Sequence, residues 1–163
     1  MKSFFKSFSY AFRGIAYCLK NERNMRIHCV VAAYVFVFSG FFHFGRIEYA
    51  VLFLAFALVI AAEMLNTAVE GLVNIQIPAY DTLARLAKDV AAGAVLVCAL
   101  FSVGVGIVLF WKPAVFADIF RFFVQHPAMI VLLVISVVLA LIFICAGPNK
   151  IKKAKHIRDR LEK

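Results

Sequence analysis

Along the chain, apolar residues come in long, nearly unbroken stretches rather than in the amphipathic patterns of a water-soluble domain. Four of these stretches, at residues 27–44, 49–73, 90–111 and 128–146, approach or exceed the roughly 20 residues that carry a helix across a hydrocarbon layer of about 30 Å. Each predicts a membrane-spanning helix. Two other segments are patterned differently. From Phe4 to Leu19 the apolar residues Phe4, Phe5, Phe8, Phe12, Ile15, Ala16 and Leu19 recur at helical spacing, with Lys2, Lys6, Arg13 and Lys20 on another side. This suits an amphipathic helix over residues 3–20 lying in the headgroup plane; the other reading is a cytoplasmic extension of the first span. Between Pro113 and Pro127, Phe116, Ile119, Phe120, Phe122 and Phe123 predict a short interfacial helix at residues 114–125. Gly147–Pro148 ends the last span, because proline cannot continue a helix past its first turn. The charged tail from Asn149 is then a basic helix or a disordered anchor. The fold class is all-α integral membrane, a surface helix plus four spans.

Composition agrees with that reading. The chain is 64% hydrophobic with mean hydropathy +0.92, against about 45–50% apolar residues in ordinary soluble domains. The first stretch lacks a small-residue cleavage site and is longer than a signal-peptide apolar region of about 7–15 residues, so it is read as retained. Of the 18 Lys and Arg, six precede the first span, one follows it, two follow the second, two the third, and seven lie in the tail. Basic loops stay cytoplasmic, which puts both termini and the 80–88 loop on the cytoplasmic side, with Arg46 and residues 112–125 outside. The net charge of +9 answers to anionic lipid headgroups, since no nucleic-acid module accompanies it. Cys18, Cys29, Cys98 and Cys145, like the four histidines, lack metal-site spacing and read as packing residues.

The anomaly is the end of the second span, where EMLNTAVEGLVN sets Glu63, Asn66, Glu70 and Asn74 into apolar sequence. A charged acid at the centre of a span costs about 2.5–3.5 kcal/mol on insertion scales, so two of them call for protein, water or a cation nearby. The i, i+3, i+7, i+11 spacing places all four on one helix face. Arg85, Lys88 and Asp89 open the third span at the same depth, and Glu22 in CLKNERNMRIH adds an acid at the start of the first. One reading is structural, with Glu63 and Glu70 paired to Arg85 and Lys88 for packing alone. The other is phosphoryl transfer, in which acids hold a divalent cation against phosphate oxygens, a lysine neutralises developing charge, and another acid takes the proton of the attacking hydroxyl. No GxxxxGK[ST] loop and no protein-kinase signature is present, so a nucleotide site here must be built from helices. A proton-relay transporter using Glu63 and Glu70 gives no reason for Lys88 and Asp89.

EMLNTAVEGLV, ARLAKDVAAGAVLV and NERNMRIH together resemble the small prokaryotic diacylglycerol kinase family, whose Gram-positive branch phosphorylates undecaprenol. The resemblance covers residues 1–111 as a lipid kinase domain and leaves 112–163 as an extension. It implies a homotrimer with an amphipathic surface helix, using Mg2+ and ATP to phosphorylate a membrane lipid alcohol, with undecaprenol favoured over diacylglycerol. By the same resemblance Glu63 is the general base, with Asn66 beside it toward the lipid. Glu22 and Glu70 hold the metal beside ATP, Lys88 and Asp89 bind nucleotide, and Tyr10 lies near ATP. Gly14, Asn21 and Arg26 match the N-terminal pattern with weaker roles. Two positions depart from the family, Asn74 where it commonly has Asp, and Ala79-Tyr80-Asp81 where it often has Glu-Tyr-His. The alternative these departures leave is a catalytically weakened membrane scaffold of the same fold.

Overall fold

The computed structural model describes residues 2–76 and 82–146, and every regular element among them is helical. The order is α1 (Lys2–Asn21), α2 (Arg23–Ser39) closed by a 3-10 turn (Gly40–Phe42), α3 (Arg46–Gln76), α4 (Thr82–Phe110), α5 (Pro113–Gln125) and α6 (Pro127–Cys145). Four of these helices, α2, α3, α4 and α6, are long and apolar enough to cross a membrane.

α1 is a helix in its own right. The chain breaks at Glu22, whose φ of −107° and ψ of 123° are extended, so the first helix is not a continuation of α2. Phe4, Phe5, Phe8 and Phe12 are exposed, as a face that meets lipid must be.

α3 and α4 form an antiparallel hairpin, tied at mid-length by Ser102 Oγ donating to the Ala55 carbonyl at 3.4 Å. α2 packs antiparallel to α3, with Leu52, Ala55 and Val59 of α3 buried. A left-handed residue, His43 at φ 49°, ends the 3-10 turn and lets the chain reverse into α3. Beside this reversal the rings of Phe42, Phe44, Phe110 and Phe116 cluster edge to face at 4.7–5.7 Å around Phe42 and Phe44. Lys112 Nζ closes the cluster, lying 5.3 Å over the Phe44 ring and donating to the Phe42 carbonyl at 3.4 Å. This pins the ends of α2, α4 and α5 together at the end of the bundle remote from α1.

α6 lies antiparallel along α2. Ser136 Oγ spends its one proton on the Leu133 carbonyl at 2.8 Å, so Tyr34 is the donor in the 2.9 Å contact between Tyr34 and Ser136. None of the residues of α6 is buried.

The helices outrun the apolar stretches that predict them. α4 begins at Thr82 rather than near 90, and α3 runs from Arg46 to Gln76 rather than from 49 to 73. A helix satisfies its backbone internally in lipid and water alike, so it continues past the hydrocarbon edge while hydropathy records only the apolar part. The expected ending at Gly147–Pro148, the tail from Asn149, and Ala79, Tyr80 and Asp81 lie outside the described residues.

Phe42 is 3% exposed whereas Phe101 is 76% exposed. Phe42→Ala leaves a hole in the ring cluster and lowers stability by about 3–5 kcal/mol. Phe101→Ala shifts it by no more than about 0.5 kcal/mol, both read by unfolding in detergent micelles.

Candidate active site

Counted from Arg46 at one end of α3, about 20 residues at 1.5 Å each carry the helix through about 30 Å of hydrocarbon. That boundary falls beside Asn66. On that count Glu63 lies about a turn inside the boundary and Glu70 about a turn outside it.

Glu63 is 2% exposed and Asn66 8% exposed, both held against the protein rather than turned to lipid. Asn66 Nδ2 donates to Glu70 Oε1 over a long 3.4 Å, leaving Asn66 Oδ1 and Glu63 Oε2 buried without a hydrogen-bond partner. Glu63 and Asn66 stand about one turn apart on α3, so these two buried acceptors without donors lie on the same face of the helix.

The third acid arrives from α1. Cys18, near the end of α1, is buried and is influenced by the Thr67 side chain of α3, while Thr67 Oγ1 donates to the Glu63 carbonyl at 2.9 Å. The last turn of α1 thus rests on α3 beside Glu63. Burial, reinforced by the charges of Glu22 and Glu63, pushes the Cys18 thiol up, so it stays protonated and serves as packing. Glu22 follows in the elbow between α1 and α2, close enough that Glu63 feels the charges of both Glu22 and Glu70.

The α4 residues behave differently from the ion-pairing expectation. Neither Glu63 nor Glu70 forms an ion pair with Arg85 or Lys88. Lys88 Nζ instead donates to Asn74 Oδ1 at 2.6 Å, one helical turn beyond Glu70, because the hairpin sets Lys88 opposite Asn74. The packing-only reading of the acids thus loses the counter-ions it requires. Asp89 is exposed on α4, and Tyr10 is exposed on α1 with the Arg13 guanidinium 4.6 Å over its ring. The structure therefore gathers Glu22, Glu63, Asn66 and Glu70 in one cluster, sets Lys88 a turn away from it on Asn74, and leaves Tyr10 and Asp89 on the surface. Among the described residues no three carboxylate, imidazole or thiol side chains converge as a ready-made metal cage. Thr67 and Cys18 are contributors that the sequence reading assigned no place in the site, since a hydroxyl and a thiol in apolar helices carry no pattern of their own.

A family model, prokaryotic diacylglycerol kinase, matches residues 9–110. The chain belongs to that family. It is also similar to a diacylglycerol kinase of Synechocystis sp., 42% identical over 108 residues, which are 66% of this chain and 62% of the relative. To an undecaprenol kinase of Bacillus subtilis it is 37% identical over 110 residues, 68% of this chain and 89% of the relative. The chain thus covers less than two thirds of the cyanobacterial relative's length. No solved structure matches it significantly. The matched segment ends where α4 ends, and α5 and α6 follow it.

A buried carboxylate that feels the charges of two further acids is a stability cost. Glu63→Gln removes one charge from this cluster without changing its shape. In the absence of ligands the variant is expected to melt about 2–5 °C higher than the wild type, a gain of about 1 kcal/mol, measured by thermal unfolding in micelles without divalent cations.

Proposed function

We propose that the protein transfers the γ-phosphoryl group of ATP to the hydroxyl of a membrane lipid alcohol, undecaprenol before diacylglycerol. The observation that carries this reading is the pair of buried acceptors without donors, Glu63 Oε2 and Asn66 Oδ1, at the depth where α3 leaves the hydrocarbon. A lipid hydroxyl comes to rest at that depth.

Glu63 takes the proton from the lipid hydroxyl as its oxygen attacks the γ-phosphorus. The new P–O bond forms as the bond to the β-phosphate oxygen breaks, giving the lipid monophosphate and ADP, and the proton passes from Glu63 to solvent. Asn66 orients the hydroxyl and, through Glu70, keeps the two acids apart. The oxygen ligands of Glu22 and Glu70 suit a hard divalent cation such as Mg2+, which is bound by one or two carboxylates plus substrate phosphates, so the lack of a complete protein cage is what such a site requires. Those two residues would hold it, and when bound it supplies neutralisation of charge on the phosphate oxygens. Lys88 adds a point charge toward the phosphates once it leaves Asn74, and Asp89 and Tyr10 form the rest of the nucleotide surface.

A cavity of about 670 Å³ opens between α2, α3 and α4, lined by apolar side chains that include Val59 and Ile60, one turn before Glu63. It gives an apolar tail a slot leading to the base. Undecaprenol is placed first because NERNMRIH and AKDVAAGAVLV resemble the Gram-positive branch, and because the undecaprenol kinase relative is matched over most of its length. The 42% identical diacylglycerol kinase relative keeps diacylglycerol as the second substrate. In the same reading residues 1–111 are the kinase and 112–163 an extension, the assembly is a homotrimer, and both termini face the cytoplasm of a bacterial cell membrane.

Labelled γ-phosphate is expected to pass from Mg-ATP to undecaprenol more readily than to diacylglycerol in mixed micelles. Glu63→Gln and Glu70→Gln each lower the rate at least about 100-fold, the scale of a lost general base. Transfer to neither lipid by well-folded wild-type protein would overturn the kinase and favour the scaffold of the same fold.

A further inference from the structure

Arg26 is a guanidinium in the first turn of a membrane span, yet it is 5% exposed. Its Nη1 donates to the carbonyls of Leu19 and Lys20 at 3.1 Å each, and its Nε donates to the Ile144 carbonyl at 3.2 Å. These acceptors are the last-turn carbonyls of α1 and of α6, groups that an α-helix leaves without an internal partner. They also sit at the negative ends of two helix dipoles, where a cation is stabilised. One buried cation therefore caps two helix ends from a third helix.

Glu22 lies in the elbow between the capped turn of α1 and α2, the helix that carries Arg26. Its amide donates to the Cys18 carbonyl at 2.8 Å, and its carbonyl takes the Arg26 amide at 3.5 Å. The elbow that carries this carboxylate is thus strung between the last turn of α1 and the first turn of α2, and Arg26 clamps both. Its fork is in turn braced by α6, which is aligned along α2 by the Tyr34 hydroxyl on Ser136.

We propose that Arg26 is the positioning residue for Glu22, and that the fourth span, through its Ile144 carbonyl, forms the outer half of that clamp. The extension beyond the family match then acts on the proposed kinase site without touching it. The inference rests on the reading of Glu22 as a metal ligand, and its test separates the two.

Arg26→Lys keeps a cation but loses the planar fork that reaches two helix ends at once. Ser136→Leu pushes α6 from α2 at a position remote from the acids. Hydrogen exchange at the amides of residues 19–26 reads the clamp directly, whatever the protein catalyses, and should quicken at least tenfold in Arg26→Lys and about threefold in Ser136→Leu. Binding of Mn2+ with a non-hydrolysable ATP analogue, followed by electron paramagnetic resonance, should weaken about 10-fold or more in Arg26→Lys, within the 10–100-fold range for residues that orient a metal ligand. The KM for the lipid should stay within twofold of wild type while the Mg2+ requirement rises. Wild-type elbow exchange in both variants overturns the clamp. A loosened elbow with unchanged Mn2+ binding overturns the assignment to Glu22. Wild-type protein that neither binds Mn2+ with nucleotide nor transfers phosphate refutes the kinase reading itself, and elbow exchange then still decides whether α6 braces Arg26.

Discussion

Glu63 is buried on α3 with an oxygen that has no partner, and it feels the charges of two further acids, Glu22 and Glu70. In a medium of low dielectric such an arrangement favours separation, so the surrounding structure must hold it together. The α3–α4 hairpin supplies a rigid wall for Glu63 and Asn66. The docking of α1 through Cys18 and Thr67 brings Glu22 to them, and Arg26 fixes the elbow from which Glu22 projects. Each of these contacts is polar or closely packed at one end of the bundle. The other end is held by rings, with Phe42 at their centre.

This division follows from the solvent. Between helices in lipid there is little hydrophobic driving force, so association rests on close packing and on hydrogen bonds. Aromatic packing serves where the chain reverses, because Phe42, Phe44, Phe110 and Phe116 come from segments already close in space. Hydrogen bonds to backbone carbonyls serve where helices end, because those carbonyls have no other donor. A cation such as Arg26 is tolerated in a span only because it meets several of them at once.

What was legible in the sequence follows the same physics. Long apolar runs gave the spans, and the 3.6-residue period gave α1 and α5, since both depend on side chains alone. The face carrying Glu63, Asn66 and Glu70 was readable because charge stands out against apolar sequence. The partner of Lys88 was not, since the choice between Asn74 and Glu70 is a matter of register between α3 and α4, one turn in either direction. Arg26 could be seen as an oddity three residues into a span, but its acceptors are main-chain carbonyls of Leu19, Lys20 and Ile144, which no side-chain pattern encodes. The first turns of α4 were missed because a helix in water near the membrane is as polar as a loop.

The placement of α6 bears on how the rest of the molecule is free to associate. It packs on α2, held by Tyr34 at mid-span and Arg26 at the end, with Phe38 and Phe41 of the α2 end set against Phe123 and Phe122 of α5. Leu54, Leu58 and Leu65 of α3, and Leu96, Leu100 and Phe101 of α4, remain exposed. An added span that lay across those residues would compete with any partner helix for the hairpin. One that lies along α2 leaves the hairpin faces open, so the extension is compatible with copies of the chain meeting through α3 and α4. It is also well placed to steady the α1–α2 elbow, because α2 is the helix that carries both the clamp and the contact with α6.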